Sequence, residues 1–442
     1  MREMKDSGVP WIGDIPKGWE TIRIKQVSRV IRGGSPRPIE EYLSDTGFNW
    51  IKIGDTQKGI KYIYSTKQKI RVEGLTKTRL VHHGDLLLTN SMSFGEPYIL
   101  KTDGCIHDGW VAIMNINAAV KEYLYYALAS EVCKVQFELQ VAGGVVQNLN
   151  IDKIGATFIP YPSVAEQQRI ADVLDAKCAE IDAILEKTRA SIEDYKKLKQ
   201  AVITEAVTKG IRGDRPMKDS GVEWIGMIPT DWIICRVKHV LVSGKEGIKI
   251  GPFGSSLTNK VDGDGAYKVY GQWNIVDKDF SAGKNYVSAD TFHELNAYQV
   301  FPGDVLISMM GTIGKCATIP EGICEGIMDS HVIKARLNEN KITSRFFELI
   351  YDKDNSSFIF DQMQVKKKGS IMDGLNSTIV KNLFLTLPPL PEQQIIAAYL
   401  DEKCATIDSL IASKEALITE LEAYKKSIIY EYVTGKKEVP AV

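Results

Sequence analysis

Residues 4–19 read MKDSGVPWIGDIPKGW, and residues 217–232 read MKDSGVEWIGMIPTDW. Twelve of these sixteen positions are identical at an offset of 213, and the match continues more thinly through Arg23/Arg236, Lys25/Lys238 and Val27/Val240. A second match follows at another offset. Residues 162–208 align without gaps onto residues 388–434, at an offset of 226, sharing Glu166/Glu392, Gln167/Gln393, Gln168/Gln394, Leu174/Leu400, Cys178/Cys404, Ile181/Ile407, Asp182/Asp408 and Glu205/Glu431. Between the two blocks only islands survive: Gly84-Asp85 with Gly303-Asp304, Gly95 with Gly314, and Leu149-Asn150 with Leu375-Asn376. The chain is therefore an internal duplication whose order is constant, variable, constant, then the same again. Two modules that keep a frame and diverge in the middle point to two different recognitions made by one architecture.

The constant segment after Ser163 opens with Ser163-Val-Ala-Glu166, a capping box in which side chains satisfy the first free amides of a helix. Ile170, Leu174, Ile181, Ile184, Ile192, Tyr195, Leu198 and Val202 then recur at spacings of three and four. Neither Pro nor Gly interrupts until Gly210, a C-terminal cap. The second copy follows Pro388-Pro389, has Pro391 in its first turn, and carries Ile396, Leu400, Ile407, Leu410, Leu417, Leu421, Tyr424 and Ile428. Each helix is about 45 residues, or roughly 65 Å. An apolar stripe of that length needs a partner, and the other copy is the simplest one. Antiparallel pairing follows from a pseudo-twofold relation of the modules. Lys177/Lys403 and Thr188/Lys414 fall on or near the seam and weaken it.

Both variable regions read as mixed α/β. Asn49–Ile53, Asp85–Thr89 and Asp304–Ser308 are β-rich runs between turns, while Lys121–Leu139 and Ser344–Tyr351 are helical in pattern. Glycine-rich turns occur at Gly33-Gly34-Ser35-Pro36, Gly143-Gly144, Gly251-Pro252-Phe253-Gly254 and Gly311-Thr312-Ile313-Gly314. Such turns let backbone N–H groups approach phosphate oxygens. Around them stand Arg32, Arg37, Lys52, Gln57 and Lys58 in the first module, and Lys249, Lys260, Gln272, Asn274 and Lys366-Lys367-Lys368 in the second. Arg and Lys suit guanine edges and phosphates, whereas Gln and Asn suit adenine edges. Gly34, Ser35, Asn90, Ser91, Gln147, Ser255, Ser256 and Thr312 complete the candidate DNA-facing set.

Net charge is −1, which alone argues for no polyanionic partner. The charge is uneven, however: residues 23–79 hold thirteen Lys/Arg against five Asp/Glu, as in a protein that meets phosphate on one face. No run approaches a membrane-spanning length, and the first residues lead into no apolar signal region, so a cytoplasmic location is expected. The seven cysteines, at 105, 133, 178, 235, 316, 324 and 404, form no Cys-x-x-Cys pair and read as reduced thiols.

Catalytic signatures are missing. Gly311–Cys316 resembles a phosphate loop, but Met309 and Cys316 break the pattern. Leu387-Pro388-Pro389-Leu390 only leads into a helix and is no amino-methyltransferase tetrapeptide. The six histidines show no metal-ligand spacing, and His107-Asp108 beside Trp110 reads as a structural or DNA-facing feature. No catalytic residue, metal or cofactor is expected in this chain.

With the repeat laid out, the chain resembles the specificity subunits of type I restriction–modification enzymes over essentially its whole length. Three features carry the resemblance: Ser-Gly-Val-x-Trp-Ile-Gly-x-Ile-Pro-x-x-Trp at 7–19 and 220–232, Pro-x-x-x-Glu-Gln-Gln before each long helix, and the loops at 33–36 and 251–255. The resemblance implies two α/β target-recognition domains, residues 1–160 and 211–386, separated by two long antiparallel coiled-coil helices, residues 161–210 and 387–442. Each domain would bind one half of a bipartite, asymmetric site on double-stranded DNA, with the helices as a ruler. Two methyltransferase subunits carrying S-adenosylmethionine would dock through Glu166, Gln167, Gln168, Glu392, Gln393 and Gln394, and methylate an adenine in each half-site. Motor–nuclease subunits would bring ATP and Mg²⁺. Among other classes, a fused methyltransferase–nuclease would need the missing motifs, and a coiled-coil scaffold would not need two divergent modules. A stand-alone DNA-binding regulator is the alternative.

Overall fold

The computed structural model describes residues 2–56, 59–90, 94–116, 119–141, 149–252, 254–257, 265–352, 359, 361–363 and 375–439. The chain forms two compact units: Met1–Arg189 with Glu415–Val442, and Ala190–Lys414.

The first unit opens with the antiparallel hairpin Met4–Asp6/Asp14–Pro16. Two five-stranded sheets follow. One runs Arg29–Arg32, Trp110–Met114, Leu86–Thr89, Pro97–Leu100, Tyr62–Ile63; the other runs Leu43–Ser44, Gln68–Ile70, Phe48–Ile51, Gly104–Ile106, Arg79–Val81. Leu86–Thr89 is buried at all four positions, as a short apolar run with no polar alternation requires. A ribbon of Glu20–Arg23 with Phe158–Tyr161 closes the module onto its helix. The helical stretch expected over Lys121–Leu139 is two helices, Lys121–Ala129 and Glu131–Val141. Ser130 between them has extended backbone, and its hydroxyl donates to the Ala127 carbonyl at 2.6 Å, the local competition by which serine ends a helix.

The second unit repeats the plan. Met217–Asp219 pairs with Met227–Pro229, and Ile233–Arg236 with Phe384–Leu387. Its sheets run Ile248–Ile250, Val332–Ala335, Val305–Ser308, Cys316–Thr318, and Tyr286–Val287, Tyr267–Tyr270, Gly326–Met328. The helix Ser344–Tyr351 forms as expected, capped by the Thr343 side chain.

The islands shared between the variable regions are turn chemistry. Gly84 and Gly303 take φ of 86° and 85°, and the following Asp85 and Asp304 carboxylates accept the His82 and Phe301 amides at 2.7 and 3.0 Å. Leu149 and Leu375 donate their amides to the Asn90 and Met309 carbonyls. Asn150 and Asn376 then cap the next helices.

The long helices are Val164–Lys209 and Leu390–Val433. Gly210 and Gly435, at φ of 78° and 72°, end them in the left-handed conformation that only glycine adopts freely. Within the first unit the helices run antiparallel, with Asp182 bonded to Lys425 at 2.6 Å and Arg189 to Glu422 at 2.7 Å. Within the second, Lys199 meets Asp408 at 2.6 Å, and the Lys414 ammonium lies 5.6 Å from the Tyr195 ring. Cys178, Ile181, Leu185, Thr188 and Ile192 are buried along the first helix, a 3–4 alternation with the heptad period. Ile184, Leu198, Leu410, Leu417 and Tyr424, expected on the seam, are 40–50% exposed. The stripe thus sits one position off for part of its length, because Ile184-Leu185 and Leu410-Ile411 are apolar doublets and packing selects the second of each pair. Thr188 lies on the seam, its hydroxyl donating to the Ile184 carbonyl at 2.7 Å. All seven cysteines are free. Among the described residues no helix is long and apolar enough to cross a membrane.

Candidate nucleic-acid interface

The frame that positions each candidate surface is built from the two sequence signatures, which meet in space. In the first unit the Trp19 indole N–H donates to Glu166 at 3.0 Å, and Arg2 pairs with the same carboxylate at 2.5 Å. In the second, Trp232 donates to Glu392 at 2.9 Å and Arg215 pairs with it at 2.5 Å. That pairing holds the Arg215 guanidinium above its ordinary range, and Asp231 adds to the effect. Gln167 accepts the Val120 amide at 2.9 Å and donates to the Pro162 carbonyl; Gln393 accepts the Thr343 amide at 3.0 Å and donates to Pro388 and Lys341. Each glutamine ties a long helix to the start of the module's own helix. Gln136 and Gln362 add a third repeated lock, each exchanging two bonds with the backbone of Phe158 or Phe384. Neither Arg2/Arg215 nor Gln136/Gln362 figured among the candidates, although both pairs lie at the repeat offsets.

The expected docking role for the Glu-Gln-Gln motif is corrected for Gln167 and Gln393. Both are fully buried with satisfied amides, so they have no surface to offer a partner. Glu392 is likewise buried behind Arg215 and Trp232, and Glu166 is occupied by Trp19 and Arg2. Gln168 and Gln394 are exposed.

In the first module the candidates gather at the end of the strands Leu86–Thr89 and Trp110–Met114. Gly33 donates its amide to Trp110 at 2.9 Å and Gly34 to Ile106 at 3.1 Å. A Cβ on Gly33 would stand 2.2 Å from the His107 carbonyl oxygen, and one on Gly34 2.7 Å from that of Lys77. Only glycine permits this approach, which lays the loop against His107-Asp108. Ser35 donates to Asp108 at 3.0 Å, His107 lies 2.9 Å from the same oxygen, and Arg37 reaches the other oxygen at 3.5 Å. Burial pushes the Asp108 carboxyl up, but the Ser35 hydroxyl, His107, Arg37 and Arg32 outweigh it and hold it below the usual carboxylate range. Arg37 is 82% exposed at its side chain. The loop borders a cleft of about 520 Å³ lined by Ser35, Arg37, Trp50, Lys52, Gln68 and His107, where Lys52 donates to Gln68 at 2.7 Å. Arg32 is exposed at the end of its strand. The structure therefore brings together Arg32, Gly34, Ser35, Arg37 and Lys52. Asn90 is corrected to a framework residue: it is buried and donates to the Asp108 carbonyl at 3.0 Å. Gln57, Lys58, Ser91 and Gln147 lie outside the described residues.

The second module presents the same edge with different side chains. Gly251 donates to Val332 at 2.9 Å, and a Cβ there would stand 1.9 Å from the Asp329 carbonyl oxygen. Asp329-Ser330-His331 thus occupies the place of His107-Asp108-Gly109. Beside it, Gln272 donates to the Thr312 hydroxyl at 3.1 Å and accepts the Met310 amide at 3.2 Å, so Gln272 and Thr312 come together. Asn274, expected to face a base, is fully buried and bonds Gly271, Asp279 and Ala282 backbone. Lys249 is held by Glu246 at 3.2 Å and the Ala297 carbonyl at 2.8 Å. Ser256 sits half-buried in the short helix Gly254–Leu257, which also holds Ser255. Lys260 and Lys366, Lys367 and Lys368 lie outside the described residues. The common chemistry of the two edges is a close-packed glycine loop beside a short polar turn, with exposed hydrogen-bonding groups that differ between modules.

The family described as "Type I restriction modification DNA specificity domain" matches residues 16–194 and again 250–423. The type I restriction enzyme MjaVIII specificity subunit of Methanocaldococcus jannaschii is 24% identical over 96% of this chain and 94% of that one. The StySPI specificity subunit of Salmonella potsdam is 22% identical over 96% and 90%. A solved chain from work on complex assembly and conformational transition of the type I R-M system superposes with a TM-score of 0.72 at 18% identity, covering 96% of this chain and 99% of that one. That likeness carries the fold. With the family's domain matched twice across most of its length, the chain belongs to the type I restriction–modification DNA specificity family.

Proposed function

We propose that this chain is the DNA-reading, non-catalytic subunit of a type I restriction–modification assembly. Each module binds one half of a bipartite, asymmetric site on double-stranded DNA. Methyltransferase subunits bring S-adenosylmethionine, and motor–nuclease subunits bring ATP and Mg²⁺. The setting is cytoplasmic defence against foreign DNA. One observation carries the reading: the Arg–Glu–Trp lock and the glutamine bonds to the start of the module's helix recur in both modules, while the edge residues they position do not. Phosphate contacts from loops such as Gly33–Arg37 would orient the duplex, and exposed side chains such as Arg37 would read base edges. The relatives' names favour a subunit of an assembly over a stand-alone regulator. The test is single-molecule sequencing of genomic DNA from cells with and without the gene, scoring N6-methyladenine. A two-part motif with an unread spacer, lost on deletion, is expected; no gene-dependent methylation in cells expressing the companion subunits would overturn the reading.

A further inference from the structure

The second module carries a groove beside its frame, walled in part by Lys341 and Pro388, whose carbonyls Gln393 holds. Two clefts, of about 440 and 320 Å³, share His239 and Lys341 in their walls. The first is lined mainly by apolar side chains, among them Ile233, Leu387 and Leu390. The second adds Lys238 and Lys381, and no Asp or Glu lines either. Among the described residues none of the three lysines has a carboxylate partner; the Lys341 ammonium instead donates to the His239 carbonyl at 2.8 Å. Ile233 leaves 55% of its surface in water on the two-stranded ribbon, opposite Leu387.

The groove lies at the opposite end of the strand Ile248–Ile250 from the Gly251 loop. It touches Gly247 and Ile248, where the strand Ile248–Ile250 pairs with Ala335. The Gly251 loop leaves the other end of that strand, about 10 Å away. It is also peculiar to one module. At the repeat offsets the first module has Glu20 for Ile233, Gln26 for His239, Gly155 for Lys381, Tyr161 for Leu387 and Ser163 for Pro389. Lys238, Val240 and Pro388 keep their counterparts Lys25, Val27 and Pro162, but the residues that differ supply most of the apolar and basic lining, and subunits that dock alike on both modules would use what the modules share.

We infer that the groove docks an acidic segment of a partner protein, anchored by apolar side chains, on the second module alone. Unpaired ammonium groups call for carboxylates across the interface, and the apolar floor calls for a side chain that a phosphate backbone does not offer. The inference rests on the proposed reading of the chain as a subunit of an assembly.

The test uses the full chain and three probes. They are a labelled short peptide of glutamates carrying two leucines, the same peptide with serines for the leucines, and a duplex bearing the methylated motif. The leucine peptide is expected to bind at least about tenfold tighter than the serine peptide. The exposed substitutions Lys341→Glu with Lys381→Glu, and separately Ile233→Asp, should each weaken it by about tenfold or more while duplex affinity holds. Equal binding of the two peptides, or variants that bind like the parent chain, would overturn the groove. So would charge reversal that weakens the duplex and spares the peptide, which would make the site a phosphate contact. Gene deletion that leaves genomic methylation unchanged in cells expressing the companion subunits overturns the proposed function instead, and the peptide comparison is read independently of it.

Discussion

At the scale of single residues, the difference between a lock and a reader is whether a side chain's bonds are already made. Trp232, Glu392 and Arg215 are mutually satisfied, the first two buried and the third half-buried. Trp232→Phe leaves a buried carboxylate oxygen without its donor, and the expected cost is about 1–3 kcal/mol, read as a lower urea midpoint with unchanged slope. Arg37 is the opposite case, a mostly exposed guanidinium held loosely over Asp108. Arg37→Ala should leave the urea midpoint in place and weaken duplex binding by about 1–3 kcal/mol if it reads a guanine edge. A second Arg37 readout is the salt slope of binding, which a base contact leaves nearly unchanged and a phosphate contact reduces by about one. Asp108 links this corner to pH. Its carboxyl sits below the ordinary value in the folded chain, so the unfolded chain takes up the proton first as pH falls. The stability it contributes is fully present above the ordinary carboxylate range, about pH 4, and is lost as pH drops through the lowered folded value. The urea-midpoint gap between the parent chain and Asp108→Asn should therefore be constant near neutrality and close on acidification; a gap that widens towards low pH would reject the assignment.

At the scale of elements, the long helices separate what periodicity says from what packing selects. Ile184 and Leu185 are neighbours and both apolar, and a helical stripe tolerates either. In the structure Leu185 is buried and Ile184 is 40% exposed. Leu185→Ala is expected to cost about 2–4 kcal/mol through lost burial and a cavity, whereas Ile184→Ser should stay within about 0.5 kcal/mol. Thermal or urea unfolding of the pair checks this, and equal losses would mean the seam is assigned to the wrong face. The cross-helix ion pairs are a weaker element of stability. Lys199 with Asp408 and Lys425 with Asp182 lie at the surface, where such pairs contribute about 0.2–1 kcal/mol each; they set direction and register more than stability.

At the scale of the whole molecule, two modules on one frame predict separable specificities. Exchanging residues 20–160 for the matching region of another family member should change one half of the methylated motif and leave the other intact. Exchanging residues 233–387 should do the converse. Because Trp19, Glu166 and Gln167 lie at or outside the exchanged borders, Glu20 to Pro160, the hybrid keeps its locks except where Gln167 caps the exchanged helix start at Val120. Methylome sequencing of cells carrying each hybrid reads the outcome, and a change in both halves from one exchange would reject the division of labour. The duplication, the two helices and the glycine that ends the first were legible in the sequence, since each depends on identity at an offset or on residues a few positions apart. Of the capping box only the Ser163 half forms, because Trp19 and Arg2 hold the Glu166 carboxylate. The shared islands Gly84-Asp85 and Gly303-Asp304 proved to be turns because a positive φ leaves glycine as the residue of choice. What could not be read was which polar side chains face outward. Asn90, Asn274, Gln167 and Gln393 have the residue types that read adenine or meet a partner, and the same amides serve equally well to satisfy buried backbone. Only the tertiary structure, by closing Trp19 on Glu166 across 147 residues and burying those amides, decided which groups remain free for DNA. Burial is a property of packing between distant segments, and no local pattern encodes it.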